Sequence, residues 1–162
     1  MRVVPFLCLF LLLSLLSASA HAFPARVVAV ADGDTLTIEP VGGGARELVR
    51  LHGIDAPELR QPYGEMARAF VRTFALHKGV TVHLEQQGRD SHGHLIATVE
   101  VPGAGILQEL LLGAGLAWVC PRYCQGCEKW EAMQETAKAQ RLGLWADKNP
   151  VPPWEWRQAQ RR

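Results

Sequence analysis

Four acidic residues and one arginine are spaced so that they could share a single cation-binding, anion-handling site. Asp32 and Asp34 flank Gly33 in "ADGDT", Asp55 opens "DAPE", and Glu58 follows three residues later. Each alone is an ordinary turn residue, because Asp readily hydrogen-bonds nearby backbone N–H groups. Together they offer hard oxygen ligands on two separate loops, the donor type that Ca²⁺ takes. The spacing is not that of an EF-hand, whose ligands lie in one loop of about 12 residues. Arg50 ends the strand that leads to Asp55 and projects toward the same place. A further stretch, "RDSHGHLIATVEV", sets His92 and His94 on either side of Gly93. It could be a metal pair, a hairpin tip or part of an active site, and a transition-metal site would lack an evident third ligand.

The elements that must position these groups are legible from periodicity. Arg26 to Ala31 and Thr35 to Glu39 read as strands joined by "DGDT", where Gly33 permits a tight turn. "PVGGG" is a second turn and "ARELVRLHGI" a third strand, before Pro57 and Pro62 mark a loop. Gly64 to His77 fits a helix with Met66, Phe70 and Phe74 on one buried face. "VTVHLE" alternates strictly, placing Val80, Val82 and Leu84 together, and pairs with "HLIATVEV" across the histidine turn. Ile106 to Gly115 and Cys127 to Arg141 read as two more helices, and the prolines of "PVPPWEWRQAQRR" argue against regular structure there. About five short strands with helices inserted late predict an α+β fold, a small β-barrel decorated by about three α-helices. Trp118, Trp130 and Trp145 are expected to pack against the core or between helices.

The 162 residues suffice for one compact domain. Residues 1–22 have the form of a signal peptide, with Arg2, an apolar run from Phe6 to Leu16, and small residues that suit cleavage near 20–22. The apolar run is short for a bilayer span of roughly 20 residues, so export is expected over a retained anchor. The domain is then expected over 23–146 and a Pro/Trp-containing tail over 147–162. Removing the segment takes away Arg2 and no acid, so 17 basic residues become 16 against 16 acidic ones. Such a balance lacks the basic excess of a pure nucleic-acid-binding module, and a polyanionic ligand would need a local cation. Cys120, Cys124 and Cys127 permit at most one internal bridge, of unreadable pairing, and are too few for a closed four-ligand zinc site.

"VADGDTLTI", "VRLHGIDAPE", "DSHGHLIATV", "LGAGLAWV" and "RLGLW", in this order, resemble the staphylococcal-type nuclease (thermonuclease) family over roughly Arg26 to Trp145. The resemblance implies a five-stranded OB-type barrel with helices and Ca²⁺-dependent hydrolysis of DNA or RNA phosphodiesters. It implies that Asp34 and Asp55 are metal-binding carboxylates, that Ala56 supplies a backbone carbonyl to the metal, and that Asp32 is a supporting acid. It further implies Glu58 as general base, Arg50 as a contact to the scissile phosphate, and Tyr123 in a nucleotide pocket. In an oxidising compartment, as a monomer, the mature protein would be secreted or periplasmic, free of stable membrane association.

The departure falls on the opening histidine turn. Where the family pattern is Asp-x-Tyr-Gly-Arg, this chain has Asp90-Ser91-His92-Gly93-His94. His94 stands at the position of a second phosphate-clamping arginine and His92 at the tyrosine, so both are expected at the substrate. Protonated His94 could recover the charge or give a proton to the leaving oxygen, though not the two-pronged geometry of guanidinium. The alternative expectation is a catalytically weakened or inactive barrel that binds nucleic acid or a partner.

Overall fold

The computed structural model describes residues 22–124 and 126–161; the expected signal segment thus lies, but for Ala22, outside the described residues. Strands β1 (Ala22–Val30), β2 (Thr35–Pro40) and β3 (Glu47–Leu51) form an antiparallel meander. Then come the two-residue β4 (Ile54–Asp55), helix α1 (Gly64–Ala75), and the hairpin of β5 (Gly79–Arg89) and β6 (Leu95–Val101). β5 pairs antiparallel with β1, and β6 pairs in parallel with β3, with Arg50 opposite Ile96. That last pairing closes the five strands β3-β2-β1-β5-β6 into the expected barrel. A bulge between Val27 and Ala29 bends β1, as closure of so small a sheet requires.

Alternation along the strands sends Val27, Leu36, Ile38, Val49, Leu51, Val82, Ala97 and Val99 inward, each 1% exposed or less. After the short β7 (Gly105–Ile106), helix α2 (Leu107–Gly113) plugs the barrel with the fully buried Leu107, Leu111 and Leu112. Each such leucine contributes roughly 1.5–3 kcal/mol of burial. Buried beside them, the Gln108 carboxamide accepts from Val99 N–H (3.3 Å) and donates to Ala97 C=O (3.0 Å). The short β8 (Trp118–Val119) pairs with β4, and α3 (Glu128–Ala139) follows. Trp145 is buried and meets Trp118 edge-on at 4.3 Å, a satellite cluster joined by Ala137 and Leu144. Trp130 packs at the rim of the main core, so all three indoles serve packing as expected. Cys124 and Cys127 form a disulfide and Cys120 is free.

Three expectations are corrected. The buried face of α1 is Ala67, Val71 and Ala75, one residue along from the anticipated stripe. Small side chains let the helix lie close to the barrel, leaving Phe70 and Phe74 half-buried as a pair at 4.6 Å and Met66 exposed. Gly33 sits in the β1–β2 turn as expected, but without the left-handed backbone that would itself require glycine. A Cβ there would lie 2.6 Å from that of Ala56 and 2.7 Å from that of Ala67, so the residue is small because three elements meet at it. The C-terminal prolines, finally, do not exclude regular structure. They precede and begin a fourth helix, α4 (Pro153–Gln160). Proline is tolerated in a first turn, where its missing N–H has no intrahelical partner. No helix among the described residues is long and apolar enough to cross a membrane.

Candidate active site

The β1–β2 turn is organised by Asp32, whose Oδ1 accepts from the backbone N–H of Asp34 (2.9 Å) and Thr35 (2.7 Å). This local ring fixes the backbone of Asp34, whose side chain is then aimed inward and is 6% exposed. Asp34 Oδ2 accepts from Ala56 N–H at 2.6 Å, which ties the first acidic turn directly to "DAPE". Arg50 lies opposite Thr35 in the β2–β3 register, next to the turn. Its guanidinium pairs with Asp34 through Nη1 and donates from Nη2 to Asp55 Oδ1 at 3.0 Å. Asp55, 3% exposed, is held in β4 opposite Trp118.

Glu58 sits on the loop after β4 with its carboxylate partly open to solvent. Its backbone is pinned by Gln61, which accepts from Glu58 N–H through Oε1 at 3.1 Å. The buried Gln61 also donates through Nε2 to the Val151 carbonyl at 2.6 Å, binding this loop to the C-terminal segment. α4 is seated by that bond and by Trp154 packing edge-on to Trp118 at 5.8 Å. From this seat Arg157 reaches the acids. Its Nη2 donates to Asp55 Oδ2 at 2.7 Å, and Nη1 donates to Glu58 Oε1 at 2.7 Å and Asp55 Oδ1 at 3.2 Å.

The histidine turn forms the facing wall. Asp90 Oδ1 accepts from the backbone N–H of His92 (2.8 Å) and His94 (2.9 Å), and Gly93 at the tip has φ 84°, a left-handed conformation that suits glycine. His94 Nδ1 lies 3.2 Å from Asp90 Oδ2, while His92 is largely exposed and stacks on His94 at 5.8 Å. Arg89 turns away, donating to both carboxylate oxygens of Glu47 at 2.9 Å and to Gly93 C=O at 2.6 Å.

Asp32, Asp34, Arg50, Asp55, Ala56, Glu58, His92 and His94 therefore line one cleft of about 170 Å³, as expected, with Asp90 and Arg157 beside them. Tyr123 does not join them. It ends the short 3₁₀ turn Pro121–Tyr123, just before the disulfide, and is 53% exposed with the Arg122 guanidinium over its ring. Arg157 was not anticipated. The signal for it was the pair Pro152-Pro153 before "WEWR", which marks a helix start as readily as a break.

The electrostatics of the cleft are dominated by acidic groups. Five carboxyl groups face the cleft against two guanidinium groups. Burial pushes the Asp34 carboxyl up to about 7, against the opposing pull of Arg50 and with the negative charge of Asp32 and Asp55 adding to it. Burial alone would lower the proton affinity of Arg50, but Asp34 and Asp55 more than offset this and hold it above its ordinary range. Arg157 is likewise raised, chiefly by its hydrogen bonds to Asp55. Among the described residues no cluster of three or more His, Cys, Asp or Glu side chains is spaced to cage a metal alone, and the paired histidines do not form one. Two buried carboxylates on different loops, in an acid-rich cleft, do fit a hard divalent cation whose shell is completed by carbonyl, water or ligand oxygens.

Residues 48–147 match the family described as staphylococcal nuclease homologue. The chain belongs to the staphylococcal nuclease family. Within this family it is 34% identical over 156 residues to a protein of Escherichia coli described as an uncharacterized endonuclease, covering 96% of this chain and 97% of that one. A Haemophilus influenzae protein of the same description is 35% identical over 154 residues, 94% of this chain and 84% of its own length. The staphylococcal-like nuclease CAN1 of Arabidopsis thaliana is 36% identical over 115 residues, 70% of this chain and 34% of that protein. The matched residues include Arg50, Asp55, Glu58 and the histidine turn, whereas the Asp32–Asp34 turn and Arg157 lie outside that range.

Proposed function

We propose that the protein is an exported, Ca²⁺-dependent nuclease that hydrolyses phosphodiester bonds of DNA or RNA, acting as a monomer outside the cytoplasm. The observation that carries the reading is the convergence of Asp34, Asp55, Arg50 and Glu58, from two loops and two strands, in one cleft. The endonuclease and nuclease descriptions of its relatives support the same class of reaction. The Cys124–Cys127 bridge suits an oxidising compartment.

Asp34, Asp55 and the Ala56 carbonyl would hold the calcium ion. Bound there, the ion supplies positive charge to the phosphoryl oxygens and neutralises the acidic cleft. Arg50, anchored by Asp34 and Asp55, is preorganised to donate to a non-bridging oxygen as charge builds in the transition state. Glu58 accepts a proton from the attacking water, whose oxygen forms the new P–O bond while the bond to the leaving oxygen breaks. The leaving oxygen takes a proton from His94 in its imidazolium form. Asp90, whose Oδ2 lies 3.2 Å from Nδ1, orients that ring. His92, at the cleft mouth, contacts the nucleic acid rather than the reacting phosphate.

The deciding assay incubates the mature protein with single-stranded DNA across a pH range, with calcium or with a chelator, beside Glu58→Gln. Calcium-dependent cleavage by the parent and a loss of about 10²–10⁴-fold in Glu58→Gln are expected. A parent that cleaves under none of these conditions would refute the nuclease reading.

A further inference from the structure

We propose that Arg157 is a catalytic guanidinium of this site, carried into it by the C-terminal helix, and that an arriving phosphate draws it off Glu58. The inference rests on the nuclease reading and assigns the acidic cleft its second cationic contact to substrate. Arg50 and Arg157 approach Asp55 from its two carboxylate oxygens, at 3.0 Å to Oδ1 and 2.7 Å to Oδ2, so the guanidiniums flank the place where an anion would enter. No other guanidinium lines this cleft among the described residues. Arg89, the arginine nearest the histidine turn, is engaged by Glu47 on the outside of the barrel. His94 offers one ring face and no fork.

The donors fit the task. A guanidinium has five N–H groups, and the contacts of Arg157 to Asp55 and Glu58 involve Nη1 and Nη2 alone. Nε–H and one Nη2 hydrogen remain for a phosphoryl oxygen, on a side chain that is 40% exposed. Meanwhile the bond from Nη1 to Glu58 Oε1 occupies the oxygen that must accept a proton from water. A phosphate that competes for Nη1 would free Glu58 Oε1 from this bond at the moment substrate is in place. Such a role explains why α4 is fastened so firmly, through Gln61 to Val151 C=O and Trp154 on Trp118, to the loop that carries Glu58.

The test compares the parent with Arg157→Ala, Arg157→Gln and Arg157→Lys, with Arg161→Ala at the end of the same helix as control. Cleavage of single-stranded DNA with calcium is measured alongside thermal unfolding, calorimetric binding of calcium alone, and binding of a cleavage-resistant phosphorothioate oligonucleotide. Expected are a 10²–10³-fold fall in kcat for the Ala and Gln variants, the scale for one preorganised donor, with partial recovery in Lys and parent-like Arg161→Ala. The oligonucleotide should bind roughly tenfold or more weakly to the Ala and Gln variants, while calcium alone binds no more weakly than to the parent. If the Ala variant fails to fold, the Gln and Lys variants carry the comparison. Ala and Gln variants cleaving within threefold of the parent would overturn the proposal. So would faster cleavage, which would make Arg157 a plug, or a loss of cleavage matched by weaker calcium binding, which would make it a positioning residue for Asp55. An inert parent would remove the nuclease reading itself, and this inference with it.

Discussion

Replacing Asp34 by asparagine should stabilise the metal-free protein at alkaline pH while abolishing its response to calcium. Asp34 is 6% exposed, and its carboxyl is held at about 7 against an ordinary 3.8, an outcome in which burial outweighs the pull of Arg50. The native state therefore binds this proton more tightly than the unfolded chain does. The stabilising effect is complete below about pH 4 and is lost progressively as pH rises toward about 7. At 1.36 kcal/mol per tenfold change in proton affinity, the ionised form costs the metal-free native state roughly 4 kcal/mol at pH 8. Asparagine cannot ionise, so Asp34→Asn escapes that cost, and a net gain of roughly 2–4 kcal/mol is expected once relaxation around Arg50 is allowed for. Urea unfolding of both proteins at pH 4, 6 and 8, in chelator, measures it. The two curves should nearly coincide at pH 4 and separate as pH rises. Added calcium at pH 8 should then narrow or reverse the gap by stabilising the parent alone. An Asp34→Asn protein less stable than the parent at pH 8 in chelator would show that the Asp34–Arg50 pair stabilises more than burial costs, and the electrostatic account of the cleft would fail.

Gly33→Ala must push apart the β1–β2 turn, Ala56 and α1, since both obstructing atoms are Cβ atoms fixed to backbone. A loss of about 1–3 kcal/mol in chemical denaturation is expected, with a fall in calcium affinity because the two acidic loops no longer meet. Gln108→Ala leaves a cavity and strips Val99 N–H of its side-chain acceptor inside the barrel, so unfolding free energy should drop by about 2–5 kcal/mol with the calcium requirement intact. His94→Ala should lower kcat by about 10²–10⁴-fold without altering the calcium concentration needed for half-maximal rate, and a parent-like kcat would remove His94 from the chemistry.

The barrel and most of the site were legible because their signals are local. Alternation over "VTVHLE" and "HLIATVEV" gave the β5–β6 hairpin, and the spacing of Asp32, Asp34, Asp55 and Glu58 put acids on adjoining turns. What escaped depends on distances between segments far apart in the chain. The α1 face is not legible from apolar size alone, because the close approach that Ala67 and Ala75 allow decides which side is buried. The steric reason for Gly33 is not local, because nothing near it in sequence announces Ala67. Arg157 lies 102 residues from Asp55, and its local setting of prolines and tryptophans speaks of packing rather than catalysis. Tyr123, 53% exposed, does not line the acidic cleft itself.

The parallel pairing of β3 with β6 carries a consequence for how activity is acquired. Every other barrel pairing joins antiparallel strands, and two seams are long in sequence: β1–β5, which joins Ala25 to Val80, and β3–β6, where Val49 must find Leu95 across the intervening α1 and β5 segment. Contacts of such long loop closure form at greater entropic cost, so the meander and the β5–β6 hairpin can each assemble before the ring shuts. In that open state Arg50 and the acidic turns would already be neighbours, but His94 would not face them. Hydrolysis would thus switch on with the closing of the ring. The same event hides the free edges of β3 and β6, which until then could template pairing with another chain. Enzymatic activity regained during refolding would therefore time the closing of the barrel, and the lag before it would mark the interval in which the protein is most exposed to aggregation.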